Sequence, residues 1–217
     1  MKNILVFGDS NSWGYDAMSY DPVTGITKRF PKEKRWPGIL QLSLGSEFNI
    51  IENCLNGRTL MQNDPYFQGR LGIESLRETL DANAPLDLVI IKLGCNELKH
   101  MFSLTAGMIA FGAEYLVQEA KQSYYGYPAP KVLLVAPHPT HPQIADMCFG
   151  FSYGVLAYQK SLELGALYRE VAKRQGCAFF DCTPLNFELN SIDGLHYSEN
   201  DHKRLAEAIE PVVREMF

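Results

Sequence analysis

The chain has 217 residues, enough for one domain with a substantial core. Apolar residues make up 46% and charged residues 21%, which excludes a disordered or fibrous chain. A net charge of -5 excludes any overall electrostatic attraction to nucleic acid or to an anionic membrane.

The opening run Asn3–Phe7 reads as a buried strand that stops abruptly at Gly8-Asp9-Ser10. Those three residues cut the run too short for a signal peptide. No segment approaches the roughly 20 apolar residues of a membrane span, so a soluble, cytoplasmic protein is expected. Ser19–Arg35 is irregular and basic (Lys28, Arg29, Lys32, Lys34, Arg35) and reads as a solvated loop. Trp36–Leu44 is a helix with Pro37 in its first turn. Glu47–Asn53 is a strand. Asp87–Leu93 (DLVIIKL) is the apolar, β-branched pattern of a strand buried on both faces. Thr105–Gln122 is a helix apolar on most faces, which predicts burial or a subunit interface. Strand Lys131–Ala136 leads into the irregular stretch Pro137–Tyr153. Helix Gly154–Gln175 is closed by Gly176, and strand Cys177–Asp181 follows. The last helix opens at Ser198, with Asp201 placed as in a capping box, and Pro211 should kink it.

Strands alternating with helices predict a parallel sheet covered on both faces. No repeat, linker or low-complexity tract interrupts residues 1–217, which read as a single domain. The five cysteines (Cys54, Cys95, Cys148, Cys177, Cys182) form no Cys-x-x-Cys pair; buried, reduced thiols are expected, with no zinc site and no disulfide framework.

Ligands of open parallel sheets bind beyond the carboxyl ends of the strands. Gly8-Asp9-Ser10 follows the first strand, Asn56-Gly57-Arg58 the second, and Gly94-Cys95-Asn96-Glu97 the third. Asp193-Gly194-Leu195-His196 lies between the last strand and the last helix. A serine hydroxyl needs a base to become a nucleophile. His196 is the candidate base, and Asp193 is its candidate orienting acid. The backbone N–H groups of Ser10 and Gly57 and the side chain of Asn96 are candidate donors to an oxyanion. Singly, each residue has a plainer reading as turn, cap or surface residue; their joint placement at strand ends carries the argument.

These four blocks resemble those of the SGNH (GDSL) hydrolase superfamily. Its catalytic serine, acid and base fall on Ser10, Asp193 and His196. Its oxyanion glycine and asparagine fall on Gly57 and Asn96. GDSNSWGYD, RWPGIL, NGRT, DLVIIKLGCNELK, YPAPKVLLVAP and DGLHYSE are similar to the arylesterase-type branch that includes the mycobacterial acyltransferase/perhydrolase. The resemblance implies a flavodoxin-like three-layer α/β/α sandwich with a five-stranded parallel sheet. It also implies hydrolysis of small acyl esters through an acyl-enzyme, acyl transfer to alcohols or peroxide, no cofactor and no metal, and a homo-oligomer that narrows the active-site channel. Trp13 occupies the branch's tryptophan position near the acyl pocket. Two departures stand out. Gly-Cys-Asn-Glu replaces the usual Gly-Thr-Asn-Asp, which puts the loop support given by Glu97 in question. Asn11 replaces the usual leucine after the serine, where it is expected to alter the pocket wall.

Rival readings are a metal pair at His138 and His141, an aspartyl-phosphate enzyme, and a binding module without chemistry. The first lacks a third ligand at metal-site spacing, and the second lacks further acids at the other strand tips. A binding module would have no need of Asp193 or His196. A carbohydrate O-acetyl esterase on the same scaffold is the enzymatic alternative. Apolar surroundings expected from Trp13, Met61, Phe102, Phe149 and Phe151 favour small alkyl or aryl esters over it.

Overall fold

The computed structural model describes residues 1–123 and 125–217. The opening run forms strand β1 (Lys2–Gly8), in which Ile4, Leu5, Val6 and Phe7 are fully buried. A single helical turn, α1 (Ser10–Trp13), follows. Strands β2 (Tyr15–Asp16) and β3 (Lys28–Arg29) pair antiparallel as a separate small sheet. Next come helix α2 (Trp36–Leu44), strand β4 (Phe48–Cys54), helix α3 (Gly72–Asn83) and strand β5 (Leu88–Lys92). Helix α4 (Ala106–Ala120), strand β6 (Lys131–Ala136), the short helix α5 (Gly150–Tyr153), helix α6 (Ala157–Gln175), strand β7 (Ala178–Asp181) and helix α7 (Glu199–Glu215) follow.

The main sheet is parallel, with five strands in the order β4-β1-β5-β6-β7. β5 shows why its sequence is apolar without a break. Val89 and Ile91 enter the core beneath α3, α4 and α6, whereas Leu88 and Ile90 enter the opposite core beneath α2 and α7. The result is the flavodoxin-like α/β/α sandwich expected from the sequence. Lys92 continues the alternation as a fully buried cation, its ammonium 4.5 Å from the centroid of the Tyr197 ring.

Most elements lie within a few residues of their predicted bounds. α6 starts at Ala157 because Gly154, at φ 67, terminates α5. α7 stays helical through Pro211 to Glu215, and its Ser198–Asp201 capping box is formed in both directions. Helix α3 escaped the sequence reading, since its buried stripe is only Gly72, Leu76, Thr79 and Leu80. α4 is buried along Ile109, Ala113, Leu116 and Val117 but leaves Met108, Phe111 and Tyr115 exposed. The basic stretch is not simply solvated: Arg29 and Arg35 converge on Glu52 of β4, and Lys34 pairs with Glu199. Of the cysteines, Cys54, Cys95 and Cys182 are buried, whereas Cys148 is exposed. Among the described residues, no helix is long and apolar enough to cross a membrane.

Candidate active site

β1 and β5 are adjacent, and the chain leaves them towards opposite sides of the sheet order, which makes their carboxyl ends the crevice of this topology. Ser10 opens α1 directly after β1. Asp9 caps that turn by accepting the Asn11 N–H at 3.0 Å. Gly8 permits the tight reversal, because a Cβ there would stand 2.4 Å from Ser12 Oγ.

The loop after β4 supplies Gly57 at φ 75, a conformation that disfavours other residues. A Cβ at this position would also lie 2.9 Å from the Phe67 ring. Arg58 is buried, with its guanidinium 3.9 Å from the centroid of the Phe7 ring. It donates to the Gly8 carbonyl at 3.3 Å and to Asn53 Oδ1 at 2.7 Å, so it ties the ends of β1 and β4 together. Burial brings its pKa down to about 10. From the loop after β5, Asn96 Nδ2 donates to the Arg58 carbonyl at 3.0 Å, which leaves its second N–H for the cavity that it lines. The neighbouring Glu97 carboxyl accepts the Leu60 N–H. The longer side chain therefore does support the adjoining loop. Burial pushes its pKa up to about 8.

The segment before α7 brings Asp193 and His196 to the same place. Asp193 Oδ1 accepts the N–H groups of Leu195 and His196 at 2.9 and 3.0 Å, and Oδ2 lies 2.7 Å from His196 Nδ1. Burial pushes the Asp193 carboxyl up, but the hydrogen bond and charge of His196 and the two N–H donors outweigh it. The group is held below the ordinary carboxylate range. An ionised carboxylate only accepts, so the imidazole proton sits on Nδ1. His196 Nε2, 2.8 Å from Ser10 Oγ, is then free to accept from the hydroxyl. Tyr15 stacks on the imidazole with ring centroids 4.1 Å apart, and Phe149 meets its edge at 6.1 Å.

Ser10, Gly57, Asn96 and His196 line one cavity of about 630 Å³, and Asp193 is bonded to His196. Phe149 and Phe151 line it as expected, joined by Tyr15, Tyr20, Tyr66 and Phe67. Trp13, Met61 and Phe102 do not belong to the lining. Trp13 packs against the α2/α7-side core and under the Arg29 guanidinium at 5.0 Å. Asn11 is not a wall residue either, since it is buried and bonded to the main chain around His196. The wall carries an unforeseen buried ion pair, Lys99 Nζ to Asp64 Oδ2 at 2.6 Å. His138 and His141 are engaged in loop structure: His138 Nε2 accepts the Phe187 N–H, and His141 Nδ1 accepts the Gln143 N–H. Among the described residues, no three His, Cys, Asp or Glu side chains are grouped to hold a metal ion.

A profile of the GDSL-like lipase/acylhydrolase family matches residues 6–204. Comparison with curated protein sequences found no match. Solved structures are more informative. The chain is similar to Est24, a carbohydrate acetylesterase from Sinorhizobium meliloti, at 37% identity and a TM-score of 0.91, covering 100% of both chains. It is similar to the M. smegmatis aryl esterase at 35% identity and a TM-score of 0.90, again over 100% of both. A further carbohydrate acetylesterase family member from S. meliloti matches at 32% identity and a TM-score of 0.87, over 100% of this chain and 99% of that one.

Proposed function

The chain belongs to the GDSL-like lipase/acylhydrolase family and is an ester hydrolase; on that premise we propose that Ser10, His196 and Asp193 form its catalytic relay. The observation that carries this reading is the unbroken chain of contacts from Ser10 Oγ to His196 Nε2 at 2.8 Å and from His196 Nδ1 to Asp193 Oδ2 at 2.7 Å. His196 Nε2 takes the hydroxyl proton while Ser10 Oγ bonds to the ester carbonyl carbon, and the carbonyl electron pair moves onto oxygen. The N–H groups of Ser10 and Gly57 and the Asn96 amide hold that oxyanion. Collapse expels the alcohol, which takes the proton from His196 and leaves Ser10 acylated. Water then repeats the sequence, giving up its proton to His196 and releasing the acid.

The aromatic lining supports small alkyl or aryl esters as substrates, with acyl transfer occurring when an alcohol or peroxide replaces water. The Asp64–Lys99 pair supports a second reading. It offers an acceptor and a donor side by side within the cavity wall, as the hydroxyls of an acetylated carbohydrate require. Lys99→Met would then raise KM for a sugar acetate but not for p-nitrophenyl acetate. The reading also includes a cytoplasmic homo-oligomer. Unpaired thiols at all five cysteines fit a reducing compartment, and the exposed Met108, Phe111 and Tyr115 of α4 supply an apolar face for a second copy.

The deciding experiment is hydrolysis of p-nitrophenyl acetate by the wild type and by Ser10→Ala, both verified folded. Turnover confined to the wild type is expected. Equal turnover in both would remove Ser10 from the chemistry.

A further inference from the structure

Asn11 follows Ser10 in the chain, yet its side chain turns away from the cavity and is almost fully buried, at 1% exposure. Its carboxamide meets the main chain on either side of His196. Oδ1 accepts the Tyr197 N–H at 3.0 Å, and Nδ2 donates to the Leu195 carbonyl at 3.2 Å. One planar group thus grips the two residues that flank the imidazole. Its own N–H is bonded to Asp9 Oδ1 at 3.0 Å, which anchors it to the cap of the turn that presents Ser10.

The gripped segment needs such an anchor. Between Asn186 and Ser198 it contains no helix or strand, and both Asn186 and Leu189 adopt positive φ. Upstream of His196 it is tied to a different loop, through His141 N–H to the Gly194 carbonyl at 2.7 Å and Cys148 N–H to the Ile192 carbonyl at 3.1 Å. Neither bond relates it to Ser10. Among the described residues, the hydrogen bonds joining the nucleophile turn to this segment are the Ser10–His196 bond itself and the two made by Asn11.

We propose that Asn11 is a positioning residue that fixes the distance between Ser10 Oγ and His196 Nε2. The inference rests on the serine-esterase reading above. Leucine at this position would fill similar space but pair with neither the Tyr197 N–H nor the Leu195 carbonyl, freeing the imidazole to drift. A misplacement of about 1 Å can cost about a hundredfold in rate.

The test is a double-mutant cycle read with p-nitrophenyl acetate. Asn11→Leu is expected to lower kcat by about 10- to 100-fold while KM stays within about threefold, since the ground-state cavity is untouched. In a His196→Ala background the same change should cost less than about twofold, because there is no imidazole left to position. Asn11→Asp keeps the acceptor for Tyr197 and loses the donor to Leu195. It should give a smaller loss that also vanishes without His196, and it serves where Asn11→Leu melts too early to assay. Equal losses in both backgrounds, or wild-type kcat in Asn11→Leu, would overturn the proposal. The premise fails separately: a His196→Ala variant as active as the wild type would sink the relay, whereas an inactive one beside a fully active Asn11→Leu would sink only the role of Asn11.

Discussion

At Asp193 one carboxylate does two jobs, with Oδ1 shaping the loop and Oδ2 orienting the imidazole. An asparagine can fill the same space but cannot do the second. Its amide N–H facing His196 Nδ1 would drive the imidazole proton to Nε2, where it blocks acceptance from Ser10. Asp193→Asn is therefore expected to lower kcat about 10³- to 10⁴-fold while the far-UV circular dichroism stays native. A kcat within tenfold of wild type would remove Asp193 from the relay. Asp193, His196 and Ser10 were legible in the sequence because each falls in a short polar block next to a recognisable strand or helix. The Asp64–Lys99 pair and the Tyr15 stack were not. Asp64 and Lys99 come from loops after different strands, and nothing local marks them as partners. Tyr15 depends on a two-residue strand too short to leave a periodic signal. Trp13 was misread for a related reason: the four residues of α1, Ser10–Trp13, are too few to show in the sequence which of them faces the cavity and which the core.

The loops act as elements because side chains of one bond to the backbone of the next. Arg58 holds the Gly8 carbonyl, Asn96 holds the Arg58 carbonyl, and Glu97 holds the Leu60 N–H. Gly57 and Asn96, two of the three candidate oxyanion donors, are thereby set relative to each other and to the third, Ser10. The extra methylene of Glu97, a departure in the sequence, is what spans to Leu60. Glu97→Asp should leave that buried N–H without its acceptor, at a cost of about 1–3 kcal/mol. Activity should fall with it, through displacement of Asn96. An aspartate variant with wild-type melting temperature and kcat would show that the loop holds itself. Strand positions were readable because burial on both faces leaves an uninterrupted apolar run, as in β5. Helix α3 was not, since four small or isolated buried positions make too thin a stripe to rise above its polar residues.

For the whole molecule, two buried groups titrate against each other. Burial lowers His202 from 6.5 to about 3. In the folded state it stays neutral, wedged against Phe30 and Tyr197, with Nδ1 accepting the Trp36 N–H. The unfolded chain binds that proton first, so stability is present above pH 6.5 and is lost as pH falls towards 3. His138, also lowered by burial, adds to the same side. Glu97 has the opposite sign. Its carboxyl is raised from 4.5 to about 8, so its contribution is present below pH 4.5 and is lost as pH rises to 8. Each proton contributes about 1.4 kcal/mol per pH unit within its window, or about 3–5 °C in melting temperature for a chain of this size. Between pH 4.5 and 6.5 the His202 and Glu97 slopes cancel. Melting temperature should thus follow only the remaining His138 slope across that interval, drifting down as pH falls from 6.5, then decline more steeply towards pH 3, and decline again from pH 6.5 to 8. Glu97→Gln, which keeps an acceptor for Leu60, should abolish the alkaline decline and leave the acid one. His202→Gln, which keeps an acceptor for Trp36, should soften the acid decline and leave the alkaline one. The slopes carry the test, since either substitution can also move the absolute melting temperature through packing. An alkaline decline unchanged in Glu97→Gln would mean that its carboxyl is ionised in the folded protein and that another group sets the profile.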